Sequence, residues 1–280
     1  MVIEGLRVIQ RQKDPVLVRY RRLARPAGRR EESAYAIEGE ELLRRAPRYG
    51  AELEATLWSD SFLETERGRQ CLSTLQEAAP QVPHYRLSSA LLARATTTRP
   101  LPPCAAIAAR PHWGSEVFEA ASGCEAPLIL AVDRGENGDN LGMLLRSAEA
   151  SGVHAVLLGE GCADPYGRRV IRAARGAMFH LPIVEVSSLV EALSGLRAKG
   201  LRIYGSSAQA TRYHYQAPLT DPTVLIVGNE HEGISPECLA LADEVLKIPM
   251  AGQINSLNIA VAASVLLFEA RRQRAPVSPL

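Results

Sequence analysis

The sequence predicts an α/β protein with two domains, the second of which is built on a parallel β-sheet. The chain has 280 residues, which exceeds the roughly 100–200 residues of a typical domain. Hydrophobic residues make up 46% and charged residues 22%, as in a globular chain with an apolar core. From Leu128 onward, continuous apolar runs alternate with helical patterns, which is typical of a parallel sheet covered on both faces.

The first 110 residues follow a compact α/β pattern. The predicted strands are Leu6–Ile9, Ala34–Ile37, Glu54–Trp58 and Cys104–Ala109. The predicted helices are Val16–Leu23, Glu40–Ala46, Glu64–Ala78 and Ser88–Ala95, with a loop around Pro26 and Gly28. Pro80 and Pro83 are expected to end the longest of these helices. This pattern predicts an N-terminal domain over residues 1–110.

Residues 111–125 are the predicted linker, because Pro111, Gly114, Ser122 and Gly123 interrupt any regular pattern there. The second domain is then predicted over residues 126–280.

In this second domain strands and helices alternate along most of the sequence. The predicted strands are Leu128–Val132, Ala155–Leu158, Ile183–Val186, Arg202–Gly205, Thr223–Val227 and Glu244–Ile248. The predicted helices are Leu141–Ser151, Val170–Arg175, Leu189–Lys199, Ser235–Ala242 and Asn258–Arg271. The last helix carries the run IAVAASVLLF, and a helix that is apolar nearly all round is expected to be buried on every side.

Composition excludes several classes of protein. The five cysteines are odd in number and form no CxxC pair, so a disulfide framework or a zinc site is not expected, and no metal is predicted. Neither a signal peptide nor an apolar run of about 18 residues is seen, which predicts a cytoplasmic protein without a membrane span. Residues 1–110 hold 18 Lys and Arg against 13 Asp and Glu, whereas residues 111–280 hold 14 against 18. Positive charge is therefore concentrated in the N-terminal 110 residues.

One group of polar and glycine residues follows the predicted strand Thr223–Val227. Gly228 allows close approach of a ligand to the backbone, and Glu230 lies beyond the carboxyl end of a parallel strand, where ligands bind in such sheets. A second strand ends in Ile248-Pro249-Met250. Asn255-Ser256-Leu257-Asn258 leads into the last helix, where Asn255 or Ser256 is a candidate cap. Backbone groups beside apolar edges suit an adenine ring and a thioether better than a polyphosphate.

A second group, VDRGENGDNLGMLLRSAEASG, begins at Val132. Its glycines form a turn between a strand and a helix, with Asp139 or Asn140 as the candidate cap and Arg146 on the helix. A dinucleotide site is an alternative interpretation, but the spacing is not GxGxxG. A surface arginine in a salt bridge is the alternative for Arg146.

Taken in order, these residues resemble the signature of the SpoU/TrmH family of RNA ribose 2′-O-methyltransferases, in the SPOUT superfamily. The matching residues are Asn140, Gly142, Arg146, Gly228, Glu230, Ile248, Pro249, Met250, Ser256, Leu257 and Asn258. The sequence departs from the family pattern where Asn137-Gly138 replaces an Asp-Pro and where Ala174 replaces a serine.

The resemblance implies a deep trefoil knot in the second domain and S-adenosylmethionine as the cofactor. It also implies a homodimer that buries the last helix. The residues expected to bind the cofactor are Gly228, Glu230, Ile248, Met250, Leu257 and Ser206. Catalysis is assigned to Arg146 as the activating group, supported by Asn140, Glu230, Ser256 and Asn258. Because an arginine is effectively always protonated, its expected role is to stabilise a developing alkoxide and hold a phosphate.

The basic front of the chain resembles, more weakly, the RNA-recognition domain of the longer, rRNA-modifying family members. Candidate RNA contacts there are Arg7, Arg19, Arg22 and Arg29. Arg168, Arg172 and Arg175 are further candidates, predicted to share one helix face; a solvated helix face is the alternative. With aromatic residues at 5%, phosphate and shape recognition is expected rather than base stacking on an open sheet.

The preferred substrate is ribosomal RNA of the 23S type. A tRNA 2′-O-methyltransferase is the nearest alternative, and an RNA-binding or ribosome-assembly protein without catalysis is the alternative from another class. Whether the protein is housekeeping or confers resistance to a ribosome-targeting antibiotic stays open.

Overall fold

A computed structural model describes residues 5–96, 98–114, 116–118 and 126–275. Its contacts divide the chain into two compact units. Unit 1 comprises Met1–Pro111 and Tyr166–His180, and unit 2 comprises His112–Pro165 and Leu181–Leu280. The predicted second domain is therefore interrupted, because fifteen residues near its middle pack with the N-terminal region.

The strands alternate with helices along most of the described chain. The strands are β1 (Leu6–Ile9), β2 (Ala34–Glu38), β3 (Leu53–Ser59), β4 (His84–Leu87), β5 (Cys104–Ala109), β6 (Leu128–Val132), β7 (Ala155–Leu158), β8 (Ile183–Glu185), β9 (Arg202–Ser206), β10 (Arg212–Tyr213), β11 (Thr223–Val227) and β12 (Glu244–Lys247). The α-helices are α1 (Pro15–Arg22), α2 (Pro26–Glu31), α3 (Glu40–Arg45), α4 (Asp60–Leu63), α5 (Glu66–Ala78), α6 (Ser89–Ala95), α7 (Gly138–Ser151), α8 (Arg168–Ala174), α9 (Leu189–Ala198), α10 (Pro236–Leu239) and α11 (Ile259–Arg274).

Unit 1 is built on a mixed five-stranded sheet in the order β1-β4-β3-β5-β2. Strand β4 pairs in parallel with β1 and β3, and β5 is antiparallel to β2 and β3. One core cluster includes Tyr20 and Leu57, which are fully buried. Helix α1 begins where sequence rules expect, because Asp14 accepts a hydrogen bond from Val16 N (3.0 Å) and Pro15 occupies the first turn.

Two local predictions in unit 1 were wrong. The loop around Pro26 and Gly28 is helix α2, because proline at the first helical position starts a helix rather than breaking it. Strand β4 was missed, since it has only four residues between Pro83 and Ser88. The helix predicted over residues 64–78 is confirmed as α5. It begins two residues later than predicted, because Thr65 is its N-cap and accepts a hydrogen bond from Gly68 N (3.0 Å).

Unit 2 confirms the predicted parallel sheet. Its seven strands run in the order β10-β12-β9-β11-β6-β7-β8, and every pairing within it is parallel. The central strands β6 and β11 are buried along their whole length, as their unbroken apolar runs predict. The short edge strand β10 was not predicted, and the trefoil knot stays a prediction.

One further prediction for unit 2 needs correction, whereas the predicted burial of the last helix in a homodimer is not tested by a single chain. Val117 and Phe118 fall in the predicted linker, yet they pack in the core of unit 2; residues 115 and 119–125 lie outside the described part of the chain. The last helix, α11, is not buried on every side within one chain. Val261 and Phe268 are 48% and 50% exposed.

Among the described residues, no helix is long and apolar enough to cross a membrane.

Candidate functional site

A cavity of about 470 Å³ lies at the carboxyl ends of the strands of unit 2. Four segments line it. They are Ser206–Gln209 after β9, Val227–Ile234 after β11, Ile248 with Met250 after β12, and Asn255–Leu257 before α11. Because β12, β9 and β11 are neighbours in the sheet, the loops that follow them meet at one edge. The volume falls within the roughly 300–1,000 Å³ of small-molecule and cofactor sites.

The loop after β11 is a tight hairpin that only glycine at position 228 permits. A Cβ atom there would lie 2.2 Å from Gly233 C and from Ile234 N. The hairpin is closed by two backbone bonds, from Asn229 N to Gly233 O (3.0 Å) and from Gly233 N to Asn229 O (2.9 Å). Asn229 Oδ1 also accepts from His231 N (2.9 Å). Glycine at 228 therefore fixes the shape of one cavity wall.

A relay of side-chain hydrogen bonds joins the beginnings of α7 and α11 to this hairpin. Asn258 Nδ2 donates to Asn140 Oδ1 (2.9 Å), and Asn140 Nδ2 donates to Glu230 Oε1 (2.5 Å). Asn258 Oδ1 accepts from Ala260 N (2.9 Å) and so caps α11. The carboxylate of Glu230 is thus held by an amide, which is itself held by a helix cap.

The caps differ from those expected. Helix α7 is capped by Asn137, whose Oδ1 accepts from Asp139 N (2.9 Å) and Asn140 N (3.2 Å). Asn140 is consequently left free to join the relay. At α11 the cap is Asn258 rather than Asn255 or Ser256.

Asp133 and Arg134, to which the sequence assigned no role, tie the end of β6 to the hairpin. Asp133 Oδ2 accepts from Ser235 N (2.6 Å), and Arg134 O accepts from Asn229 Nδ2 (3.2 Å). The Arg134 guanidinium pairs with Glu232, and its backbone has a positive φ of 56°. The only sequence signal was their place after a buried strand, which does not reveal these partners.

The structure brings together most of the predicted site. All six residues expected to bind the cofactor line the cavity: Ser206, Gly228, Glu230, Ile248, Met250 and Leu257. Ser256 lines it as well, and Asn140 and Asn258 reach it through the relay. Arg146 is the exception, because it is exposed on α7 and does not line the cavity of its own chain.

No activated thiol is found near the cavity within the described residues. Cys162 lies beside the β6–α7 loop, where its Sγ accepts from Gly135 N (3.2 Å). Burial raises the pKa of this thiol to about 11, so it is protonated at neutral pH and is a poor nucleophile. His231 lines the cavity with an exposed side chain.

The candidate RNA contacts in unit 1 fall into different environments. Arg7 is exposed at the sheet edge, with its guanidinium 5.9 Å from the centre of the Tyr85 ring. Arg19 pairs with Glu32 (3.0 Å) and Glu54 (2.5 Å). Arg22 also pairs with Glu32, but its side chain is 62% exposed.

Burial contradicts the predicted RNA contact of Arg29. Only 4% of this residue is exposed, and its Nη1 donates to Leu23 O (2.7 Å) inside the fold. An arginine buried in this way has no surface to offer a phosphate.

The three candidates near α8 do not share one helix face. Arg168 is 14% exposed, pairs with Glu38 (3.3 Å) and lies over the Tyr20 ring. Arg172 is exposed on the helix. Arg175 lies past the helix end with a φ of 56° and pairs with Glu41 (2.6 Å).

Comparisons with known proteins agree on one family. Residues 127–268 match the SpoU rRNA Methylase family. The chain is 29% identical over 95% of its length to the whole of RlmP of Bacillus subtilis, a 23S rRNA (guanosine(2553)-2′-O)-methyltransferase. It is 37% identical over 59% of its length to 67% of RlmB of Pseudomonas aeruginosa, a 23S rRNA (guanosine-2′-O-)-methyltransferase.

Among solved structures, the SpoU methyltransferase AviRb of Streptomyces viridochromogenes in complex with AdoMet superposes with a TM-score of 0.82. The two chains share 25% identity, and the match covers 94% of this chain and 98% of the other.

Proposed function

Since the chain belongs to the SpoU rRNA methylase family, we propose that it methylates a ribose 2′-hydroxyl of 23S-type ribosomal RNA with S-adenosylmethionine as the methyl donor. The observation that carries this proposal is the cavity of unit 2, where the family's signature residues meet at one sheet edge. The names of the relatives that match most of the chain support the same reaction.

The cavity fits the cofactor in size and chemistry. Ile248, Met250 and Leu257 offer apolar contacts for an adenine ring and a thioether, while the hairpin after Gly228 offers backbone groups. When bound, S-adenosylmethionine supplies a sulfonium methyl group, whose bond to sulfur breaks as the new bond to ribose O2′ forms.

Arg146 and the asparagine relay have different proposed tasks. A ribose hydroxyl is a weak nucleophile, so transfer depends on alignment with the methyl carbon and on stabilising the charge that develops on O2′. The Arg146 guanidinium would supply the positive charge that stabilises it, while the O2′ proton passes to water and the sulfonium becomes a neutral thioether. Asn140 and Asn258 hold the Glu230 carboxylate in place at the cavity wall.

We propose that Arg146 acts in the cavity of a second copy of the chain. It lies on α7 beside an uncovered apolar surface made by Met143, Val261 and Phe268, which are 44%, 48% and 50% exposed. Helices α7 and α11 form this surface together, with Ser264 Oγ donating to Ser147 Oγ (2.7 Å) between them. A symmetric homodimer that covers this surface would bring each Arg146 close to the other copy. Within its own chain, Arg146 does not line the cavity.

Light scattering tests the dimer. The native protein is expected at twice the 30.4 kDa chain mass at micromolar concentration. Phe268→Glu is expected to give monomers that have lost methyl transfer, whereas Lys199→Glu, on an exposed helix end, is the matched control and stays dimeric. A native monomer with full activity contradicts the proposal.

Residues 1–110 are proposed as the RNA-recognition domain, which makes substrate choice a property of unit 1. The proposed substrate also implies that the protein acts in the cytoplasm.

The substrate is tested by incubating the protein with S-adenosylmethionine and either 23S-type rRNA or tRNA, followed by digestion and mass spectrometry. A 2′-O-methylated nucleoside from the rRNA is expected. Methylation of tRNA alone favours the tRNA enzyme, and no cofactor binding by calorimetry favours a non-catalytic RNA-binding protein.

A further inference from the structure

A second cavity, of about 420 Å³, lies in unit 1 between the end of β2 and helix α8. None of its lining residues lines the first cavity. Part of its wall is apolar and part is basic. The apolar residues are Ala36, Leu42, Pro102 and Ile171, and the basic residues are Arg99, Arg168, Arg169 and Arg172. Its volume again falls in the roughly 300–1,000 Å³ range of ligand sites.

The one acid in the wall, Glu38, is fully engaged with its own neighbours. Its carboxylate accepts hydrogen bonds from Tyr20 Oη (2.5 Å), from Thr96 Oγ1 (2.6 Å) and from the hydroxyl of Thr98. It also pairs with Arg168 Nε (3.3 Å). Glu38 and Arg168 therefore offset each other's charge.

Two arginines keep their charge at the rim. Arg99 Nη1 donates to the backbone carbonyls of Thr96 (3.5 Å) and Thr98 (2.8 Å), which hold the side chain without cancelling its charge. Arg169 is exposed and has no hydrogen-bond or ion-pair partner among the described residues. The rim is thus an anion-binding edge above an apolar wall.

The concave shape of this cavity suits an unpaired nucleotide better than an RNA duplex. The phosphates of a duplex lie on a convex surface and contact open protein faces, whereas an unpaired nucleotide can place its base in a pocket and its phosphate at the edge. Apolar side chains and guanidinium planes both accept the flat face of a base. We propose that this cavity binds one unpaired nucleotide of the RNA substrate, with its phosphate on Arg99 and Arg169 and its base against Leu42 and Ile171.

The proposal rests on the proposed function for its RNA, but its test does not need methylation. The probes are a single-stranded RNA decamer, a blunt duplex of the same sequence, and a decamer that keeps its sugar-phosphate backbone but lacks bases. The variants are Arg99→Ala, Arg169→Ala and the double variant. The control is Arg94→Ala, an exposed arginine of α6 outside the cavity wall.

Each single variant is expected to weaken binding of the single strand about 3–10-fold and to lower its salt slope by about one. Duplex binding is expected to stay unchanged, as is single-strand binding by Arg94→Ala. The baseless strand is expected to bind the native protein more weakly than the decamer. Equal losses on duplex and single strand overturn the proposal, and so does a baseless strand that binds as well as the decamer.

Thermal unfolding and calorimetry with S-adenosylmethionine on the same variants separate this inference from the proposed function. Both measurements are expected to match the native protein. If the native protein methylates RNA but the variants bind the single strand normally, the cavity proposal alone is wrong. If no RNA is methylated while the variants lose single-strand binding, the proposed function is wrong and the cavity proposal stands.

Discussion

The two cavities are built in opposite ways. The cavity of unit 2 is made from backbone, a close-packed glycine and amide side chains that hold one carboxylate. The cavity of unit 1 combines apolar side chains with four arginines, one of which pairs with Glu38. A site built from backbone and glycine can be predicted from a short sequence motif. The role of an arginine cannot, because it depends on partners that are distant in the chain. Single substitutions should therefore have large effects on catalysis or cofactor binding in unit 2 and smaller effects on RNA binding in unit 1.

The largest effect is expected at Arg146. Arg146→Ala should lower turnover about 10²–10³-fold, as when one group that stabilises a developing oxyanion is removed. Cofactor binding should stay intact, because Arg146 is assigned to the ribose hydroxyl, and the six residues expected to bind the cofactor line the cavity without it. Single-turnover methylation and calorimetry measure the two quantities. Turnover within a few-fold of the native enzyme removes Arg146 from the mechanism.

Gly228→Ala should weaken S-adenosylmethionine binding about 10–100-fold, since an overpacked backbone contact costs about 1–3 kcal/mol. The added Cβ lies 2.2 Å from backbone atoms, so the hairpin must move. Gly252→Ala is the matched control, because a Cβ there meets nothing within 4 Å. If both variants bind the cofactor equally well, the hairpin is not part of its site.

Asn140→Ala should lower kcat/KM about tenfold, because Glu230 and Asn258 each lose a hydrogen-bond partner. Asn258→Ser keeps a cap for α11 but removes the amide donor. The double variant should lose little more than Asn140→Ala alone, as expected of residues in one network. Strictly additive losses indicate two independent roles.

The smallest effect on function is expected at Arg29 in unit 1. Arg29→Ala should lower the free energy of unfolding by about 1–3 kcal/mol, because the buried carbonyl of Leu23 loses its donor. RNA affinity should not change. The exposed neighbour Arg30 is the control, with Arg30→Ala leaving stability unaltered. A loss of RNA affinity at Arg29 without a loss of stability restores the original prediction of an RNA contact.

The sequence predicted unit 2 and its cavity better than the arginines of unit 1. Strands β6 and β11 were predicted with their observed bounds, because continuous apolar runs are typical of buried parallel strands. The six cavity-lining residues followed from an ordered motif. Most of these residues are far apart in the chain, but they follow strands whose carboxyl ends lie at one edge of the sheet.

The remainder depended on contacts that no local pattern contains. Arg168 looks like a surface arginine in sequence, yet its partner Glu38 lies in the N-terminal region. The segment Tyr166–His180 belongs by contacts to unit 1, although its helix α8 lies between β7 and β8 in the alternation of strands and helices of unit 2. Helix α11 is apolar nearly all round, yet Val261 and Phe268 stay exposed in one chain, and the proposed homodimer would cover them.

The central claim is that each methyl-transfer centre combines the cavity of one chain with Arg146 of another. Arg146→Ala and Gly228→Ala proteins should be unfolded, mixed in equal amounts, refolded and assayed for methyl transfer to rRNA. The S-adenosylmethionine concentration should load the native cavity but not the Gly228→Ala cavity, so that each variant alone shows little activity. In a heterodimer, the Arg146→Ala chain keeps an intact cavity and receives Arg146 from the other chain. Random pairing then restores about a quarter of native activity. No recovery, in a mixture shown to contain heterodimers, means that Arg146 serves its own chain and contradicts the account.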